Sequence, residues 1–432
     1  MSRSFDLLGA GLVASLALLT TTACSPGDSD ALAAATGGGG SGSSSSSATG
    51  GAGGSIPHGD PFDVPIDGVV PAQQKDFFDG DALFDLPLRD ADGLGPLYTR
   101  ASCGACHNNG VRGPGTVTKM AVVLADGFTT SPDQTLLPFG NTVHPQLADG
   151  AVTPIEPPAD PSVKVTLRIG PPILGRGYLE AVDDSEILRV EAEQAERTDE
   201  IHGRANHVVY QSEPNPDQTF NKHQKGDQVI GRFGLKARIA TLDEFTADAL
   251  QGDMGITSPL RPTEFKNPDG LLDDGKPGVD VTADSVNSRS NYVRLTAIPH
   301  RLDLDEQGAA LFDKALCSVC HAPSLKTRAD YPVALLAGLD APIYTDLLLH
   351  DLGDTLADGV VDGTATSREW RTAPLIGLRF NKSFLHDGRA HTVEEAILGH
   401  AGDGSQATGS LAIYAALSAD DRATLLAFVG AL

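Results

Sequence analysis

Two copies of one short cysteine–histidine pattern constrain this chain more than any other feature. Each copy reads C-x-x-C-H, first within SCGACH and again within LCSVCH. The chain has only five cysteines, so the two copies contain all of them except Cys24. In a sequence this poor in cysteine, chance produces one such motif in roughly one chain in several hundred, so two copies indicate a shared chemistry. The six residues are Cys103, Cys106, His107, Cys317, Cys320 and His321.

Three chemistries use paired cysteines, and they make different demands. A thioredoxin-like disulfide lies between a strand and a helix and needs no following histidine, whereas apolar residues before Cys317 repeat with helical spacing. A four-cysteine zinc site would join pairs that are far apart in sequence and leave both histidines unused. Covalent haem uses every residue, with thioethers from the cysteines and an axial ligand from the histidine. The motifs therefore predict two covalently attached haem c groups.

The first 60 residues do not have the composition of a folded domain. Residues 1–24 combine Arg3, an apolar run too short to span a membrane and a small-residue stretch ending at Cys24. They predict a lipoprotein-type signal peptide with Cys24 as the lipidated residue, although an ordinary signal peptide with an incidental Cys24 remains the alternative. Residues 25–60 are a Gly/Ser-rich tether. We therefore expect export to the periplasm and a lipid anchor in the outer membrane.

The chain is strongly acidic, with a formal net charge of −25. This charge argues against nucleic acid as a partner, because phosphates require patches of lysine and arginine. It favours a small basic redox protein, such as a cytochrome c, as electron donor or acceptor, although an acidic surface also simply keeps a protein soluble.

The two halves of the chain repeat short segments in the same order. GDALF precedes the first motif and GAALF the second, while PILG follows the first and PLIG the second. The repeat predicts two tandem cytochrome c-like domains, residues 61–295 and 296–432, in a mainly α fold with long irregular loops. Helices are predicted from a capping box at Thr241 and Glu244 and from an N-cap at Ser418.

One acidic loop, NPDGLLDDGKPGVDVT, has the ligand type that calcium prefers but no fixed ligand spacing. Its carboxylates could hold Ca²⁺, and a solvated loop is the alternative. They belong to Asp269, Asp273, Asp274 and Asp280.

Three long segments resemble the bacterial di-haem oxidoreductase family. They are GRFGLKARIATLDEFTADALQGDMGITSP, YTDLLLHDLGDTLADG and EWRTAPLIGLRFNKSFLHDGRAHTVEEAILGH. The members of that family are described as peroxidases and were formerly called thiol oxidoreductases. The family is similar to the di-haem cytochrome c peroxidases. The resemblance runs from about Phe77 to the C-terminus. It implies two cytochrome c-like domains, one haem being the reaction centre and the other an electron relay.

The resemblance also directs attention to sixth ligands and to a proton-transfer group. Met254 and His350 are candidate sixth ligands, and a core methionine is the alternative for Met254. The resemblance implies a glutamate acid–base group after PILG, either Glu180 or Glu186, and each could instead cap a helix or face solvent. His386, His391 and His400 are further options for a sixth ligand, although surface or hydrogen-bonding roles are expected for each. Trp370 is the only tryptophan, and Leu235 stands where the family usually has another.

Two functions from different classes follow. In the first, the chain is an enzyme that reduces peroxide, or oxidises an unidentified substrate, with electrons passed between two haems. In the second, it is a non-catalytic di-haem electron-transfer protein of the cell envelope. An iron with an open coordination position distinguishes the enzyme from the carrier.

Overall fold

The fold is described from a computed structural model, which describes residues 63–113, 115–127, 129–271, 277–302 and 304–432. Cys24, the predicted signal peptide and the predicted tether lie outside these residues, as do Asp273 and Asp274 of the acidic loop. Regular structure is mainly helical, joined by long irregular segments. Among the described residues the helices are α1 Pro71–Asp85, α2 Arg176–Ala181, α3 Asp184–Ala195, α4 Leu242–Met254, α5 Ala283–Leu295, α6 Glu306–Lys314, α7 Cys317–Cys320, α8 Gly353–Leu356, α9 Val393–Leu398, α10 Thr408–Ala416 and α11 Ala419–Ala431.

The strands are short and pair antiparallel. The order β3-β2-β5 forms a three-stranded sheet, and β1-β4, β6-β7, β8-β9 and β10-β11 form two-stranded ones. In the last pair His350 lies opposite Trp370 and Leu349 opposite Arg371. The strands are β1 Leu97–Tyr98, β2 Val117–Val122, β3 Thr142–Val143, β4 Gln146–Leu147, β5 Val163–Arg168, β6 His207–Val209, β7 Gln228–Ile230, β8 Leu325–Lys326, β9 Asp340–Ala341, β10 Leu349–Asp351 and β11 Glu369–Arg371.

Side-chain caps fix where the helices begin. The Ser418 hydroxyl accepts a hydrogen bond from the Asp421 amide at the start of α11, as expected from the sequence. Thr241 caps α4 in the same way through the Glu244 amide. Glu244 does not complete the expected capping box, because its carboxylate accepts a hydrogen bond from the Gln211 amide. That bond ties the start of α4 to a distant loop.

Helix α5 is the centre of the largest hydrophobic core, and α1, α2 and α4 all pack against it. Gly177 in α2 permits the closest approach, because a Cβ there would lie 1.9 Å from the Arg294 carbonyl oxygen. This core joins Leu179 and other residues before position 296 to Leu336 and other residues after it. The described residues belong to one contact unit, His58–Leu432. The division into domains at residues 295 and 296 stays a prediction.

A second core surrounds the second cysteine–histidine motif. Helices α6 and α11 pack together, and their residues Phe312, Leu425 and Phe428 are buried with Tyr414 of α10. A separate cluster near the first motif joins Met254 to Leu88, which follows α1, and to Val286 near the start of α5. In the described part of the chain, no helix is both long enough and apolar enough to cross a membrane.

One buried carboxylate connects four parts of the fold. Glu180 of α2 accepts hydrogen bonds from Arg294 Nε at 2.6 Å, from the Tyr331 hydroxyl at 2.7 Å and from the Leu242 amide at 2.8 Å. Burial alone would raise the pKa of Glu180, but the Arg294 charge and these hydrogen bonds lower it. The Arg294 guanidinium also lies over the ring of Phe220. The ion pair therefore fixes α2 against α5 and against the loop that contains Tyr331.

We expect the Glu180→Gln substitution to lower the free energy of unfolding by about 3–5 kcal/mol, because it leaves Arg294 as an uncompensated buried charge. Denaturant unfolding followed by circular dichroism measures the change. Lys225→Ala is the control, since its ion pair with Glu213 is exposed and contributes at most about 1 kcal/mol. Equal losses in the two variants would contradict a structural role for Glu180.

The lowered pKa of Glu180 also predicts the direction of a pH effect. A carboxyl group whose pKa is lower in the folded chain contributes stability above its ordinary pKa and loses it as the pH falls through the folded value. We therefore expect the stability difference between wild type and Glu180→Gln to be complete near neutral pH and to shrink in acid. A difference that grows on acidification would contradict this assignment.

Candidate functional site

The first cysteine–histidine motif forms a tight turn after α1. The amides of Cys106 and His107 both donate to the Cys103 carbonyl, at 3.0 and 2.9 Å. His107 Nδ1 lies 2.8 Å from the Pro171 carbonyl oxygen, and the His107 ring lies near that of Phe84. The turn brings both thiols and the imidazole together through local hydrogen bonds.

The second motif follows α6 and includes the single turn of α7. The His321 amide donates to the Cys317 carbonyl at 2.9 Å, which repeats the arrangement of the first motif. His321 Nδ1 lies 3.2 Å from the Tyr344 carbonyl oxygen, and the ring of Phe312 lies near the imidazole. Both motifs therefore hold a histidine by Nδ1 against a backbone carbonyl from elsewhere in the chain.

This arrangement suits metal coordination. A carbonyl oxygen can only accept, so Nδ1 carries the proton in each ring and Nε2 keeps its lone pair. Burial lowers the pKa of His107 and lowers the pKa of His321 to about 4, where the nearby His400 adds to the effect. Both imidazoles are therefore neutral at neutral pH and able to bind a metal through Nε2.

Each motif lines its own cavity. The first cavity, of about 100 Å³, is lined by Cys103, Cys106 and His107. The second cavity, of about 280 Å³, is lined by Cys317 and other residues of its motif. The two cavities share four lining residues, Pro171, Pro172, Arg176 and Arg371, which we call the shared wall. The shared wall places the two motifs on either side of the same residues.

The cysteines do not have the properties of a disulfide switch or a zinc site. All four are free, and burial raises the pKa of Cys103 to about 11 and that of Cys317 to about 12. Cys103 and Cys317 are therefore thiols at neutral pH, whereas nucleophilic cysteines are thiolates. Among the described residues, one cluster of potential metal ligands is found, and it contains Cys320 but no other cysteine.

The residues fit covalent haem better. Each cavity combines apolar walls, two thiols and a neutral imidazole with its Nε2 available, which is the donor set of a c-type haem site. The shared wall adds two buried arginines without a carboxylate partner in the described residues. Haem would supply carboxylates that complement them. His107 and His321 would bind the irons, and the four thiols would form the thioethers.

The structure brings one candidate sixth ligand to the first cavity. Met254, the last residue of α4, is buried and lines this cavity with the first motif. The other internal methionine, Met120 of β2, is buried in a separate cluster and lines neither cavity. Met254 is therefore placed where ligation is possible, and its role stays a prediction.

His350 lines the second cavity, but both of its ring nitrogens are hydrogen-bonded. Nε2 lies 2.8 Å from Asp346 Oδ2, and Nδ1 lies 2.8 Å from Gln406 Oε1. With oxygen acceptors at both nitrogens, no lone pair is directed into the cavity. Ligation by His350 stays a prediction that requires one of these bonds to break.

The two glutamates proposed for proton transfer do not belong to the lining of either cavity. Glu180 forms the buried ion pair with Arg294 described above. Glu186 of α3 forms an ion pair with Arg189 one turn along the same helix, at 2.8 Å. Neither side chain lines a cavity. Their catalytic role stays a prediction, and in the structure each carboxylate pairs with an arginine.

Two carboxylates of the acidic loop are described, and both accept hydrogen bonds from the protein. Asp269 accepts from the amides of Val152 and Thr153. Asp280 accepts from the Thr257 amide and hydroxyl at 2.6 Å. These bonds link the loop to neighbouring segments, and calcium binding there stays a prediction.

Several residues that the sequence analysis named line the second cavity, a position that the sequence did not predict for them. His386 stacks on Trp370, with ring centroids 4.2 Å apart, and His400 Nδ1 lies 2.8 Å from the Ala396 carbonyl. Both histidines line the cavity, as does Leu235. The two arginines of the shared wall, Arg176 and Arg371, were not predicted from the sequence as site residues. The only feature of the sequence that could have indicated them is that each is a charged residue close to a short apolar segment.

The chain matches one protein family over residues 159–432, the family described as "Di-haem oxidoreductase, putative peroxidase". The match includes the second motif and begins after the first. No curated protein matches the chain.

Two solved structures show a weak likeness. A xenon-pressurised hydrazine synthase of Kuenenia stuttgartiensis is 13% identical, with a TM-score of 0.36 over 91% of this chain and 100% of that one. A variant of the diheme peroxidase BthA from Burkholderia thailandensis is 15% identical, with a TM-score of 0.33 over 74% of this chain and 70% of that one.

The two motifs predict independent attachment sites. We expect wild-type protein from a host with haem-attachment machinery to contain two haems per chain, and Cys317→Ala combined with Cys320→Ala to contain one. Intact-mass spectrometry and the pyridine haemochrome assay measure this stoichiometry. Exchange of exposed His391 for alanine is the control and should leave two haems. Two haems in the double cysteine variant would contradict the assignment.

Proposed function

Because the chain belongs to the di-haem oxidoreductase family, we propose that it is a haem-dependent oxidoreductase that reduces peroxide with electrons passed between two covalently attached haem c groups. The observation that carries the proposal is the pair of cavities, each lined by one C-x-x-C-H motif and separated by a shared wall. This arrangement supports transfer between two cofactors over a short distance.

The two cavities differ in ways that support different roles. The second cavity is the larger of the two, at about 280 Å³ against about 100 Å³ for the first. The extra space at the second motif is available to a small substrate such as hydrogen peroxide. The first cavity contains Met254, a thioether that suits the sixth position of an electron-relay haem. We therefore assign the relay to the first motif and the reaction centre to the second.

Haem, when bound, supplies an iron that exchanges electrons and binds peroxide at an open position. The side chains of the second cavity must then hold and move a proton between the peroxide oxygens. His386 is the group that we assign to this step. Burial lowers its pKa to about 4, so its imidazole is neutral and can accept a proton. The stacked Trp370 fixes the plane of the ring.

The remaining parts of the proposal concern location and partner. We infer that the chain is exported to the periplasm and anchored to the outer membrane by lipid on Cys24, with residues 25–60 as the tether. The charge of −25 supports a small basic protein, such as a cytochrome c, as the electron donor. Such attraction weakens as salt rises, because screening shortens its range.

One observation favours a second candidate function. The proton on His400 Nδ1 is directed at the Ala396 carbonyl, which leaves Nε2 with a lone pair in the second cavity. This is the same arrangement as in His107 and His321. If His400 as well as His321 were to hold the haem of the second cavity, and Met254 were to hold the other, neither haem would have an open position, and the chain would be an electron carrier of the cell envelope without substrate chemistry.

Low-temperature EPR of the oxidised protein, repeated after one electron per molecule is added, distinguishes the two functions. We expect a high-spin ferric signal from the second site in at least one of these states, together with peroxide consumption driven by a reduced small cytochrome c. Low-spin signals alone, without peroxide turnover, would favour the carrier. In that case His400→Ala should produce a high-spin signal, whereas exposed His391→Ala should not.

Met254→Leu tests the relay assignment at the first motif. Loss of a thioether ligand should convert the first haem from low-spin to high-spin, and the visible spectrum and EPR should both report the change. Met120→Leu is the matched control, because that methionine is equally buried and lines neither cavity. If both variants keep the wild-type spectrum, Met254 is a packing residue.

A further inference from the structure

The shared wall contains two buried arginines from distant parts of the chain. Arg176 begins α2 and Arg371 ends β11, and each is 7% exposed. Both line both cavities, together with Pro171 and Pro172. The Glu180 ion pair fixes α2, and the pairing of β10 with β11 fixes Arg371 opposite Leu349. Rigid elements therefore present both guanidinium groups to the space between the two motifs.

Neither guanidinium has an anionic partner in the described part of the chain. Arg176 donates through Nη1 alone, to the Leu174 carbonyl at 3.3 Å. Arg371 donates through Nε to the Gly234 carbonyl at 3.0 Å and through Nη1 to the Thr372 carbonyl at 2.8 Å. No described carboxylate oxygen lies within ion-pair distance of either group, in contrast to buried Arg294. Several N–H donors of the two forks are left for a ligand.

The electrostatics require an anion there. Burial and, to a smaller extent, the charge of Arg371 together lower the pKa of Arg176 to about 9. Burial also lowers the pKa of Arg371 to about 10, opposed only by Asp346, which is itself bonded to His350 and Gln194. Two neighbouring buried cations are unfavourable unless an opposite charge compensates them. The fork geometry of guanidinium selects carboxylate or phosphate in particular.

We propose that Arg176 and Arg371 form a carboxylate clamp that binds propionate groups of both haems across the shared wall. The proposal rests on the proposed function, because it requires a haem in each cavity. Each haem has two propionates, and a carboxylate brought into an apolar cavity needs such a partner. The clamp would therefore set the electrostatic environment of both irons at once.

Arg176→Gln and Arg371→Gln remove one positive charge each from the clamp. A cation beside a haem favours the reduced state, which has one positive charge fewer. We expect both haem reduction potentials to become more negative in each variant, as measured by spectroelectrochemical titration. Arg112→Gln is the matched control, since Arg112 lines the second cavity alone and should affect only that haem. Exposed Arg189→Gln should affect neither.

Lysine variants distinguish the effect of the positive charge from that of the guanidinium hydrogen bonds. Arg176→Lys and Arg371→Lys keep the charge, so the potentials should change less than in the glutamine variants. The propionate bending bands of the resonance Raman spectrum, which respond to hydrogen bonding, should still move. If a glutamine variant does not fold, the lysine variant and the Raman bands keep the test decisive.

Three outcomes would overturn the clamp. Unchanged Raman bands in all four variants would show that the arginines do not contact propionates. A potential change confined to one haem would show that the clamp is not shared. Bands or potentials of the wild-type protein that depend on added acetate or chloride would show that a free anion occupies the wall. Two haems by mass, with peroxide turnover, would leave the proposed function intact in each case.

Discussion

The arrangement of the site depends on the buried carboxylate of Glu180 and on the hydrogen bonds that it accepts. It is almost fully buried, and its partners come from α5, from the start of α4 and from the loop that contains Tyr331. A buried ion pair of this kind adds little net stability over apolar packing, but breaking it is costly. Because Arg176 and Glu180 belong to the same short helix, the ion pair that fixes α2 also fixes one side of the shared wall.

The two motifs show how the same chemistry is built twice with different surroundings. In both, a main-chain turn positions the cysteines, and a distant carbonyl orients the histidine through Nδ1. The differences lie in what the rest of the chain contributes. The end of α4 closes the first cavity with Met254, whereas the second is bordered by several histidines and by Trp370. The two copies of the motif therefore have different surroundings, and the proposed division into a relay and a reactive site rests on this difference.

Local features of this chain could be predicted from sequence, and long-range ones could not. The C-x-x-C-H motifs, the N-caps at Thr241 and Ser418 and the family itself could be recognised because adjacent residues specify them. The mainly helical character followed from the same kind of pattern. The shared wall could not be predicted, because it joins residues 171–176 to Arg371 through tertiary packing. The same is true of the stacking of His386 on Trp370. The ion pair of Glu180 with Arg294 could not be predicted either, because it joins residues far apart in sequence, and the proton-transfer role implied by the position of Glu180 after PILG stays a prediction.

Pro171 belongs to both halves of the site: its carbonyl orients His107, and the residue also borders the second cavity. Free-energy coupling between two sites is reciprocal. The change that reduction of one site makes in the free energy of reduction of the other therefore equals the change that the other makes in the first. The two redox midpoint potentials measured for such a molecule then belong to the coupled pair of sites and not to either site alone. A redox titration of one site would give one midpoint potential with its neighbour oxidised and another with its neighbour reduced. The difference between these potentials would measure the free-energy coupling across the shared wall.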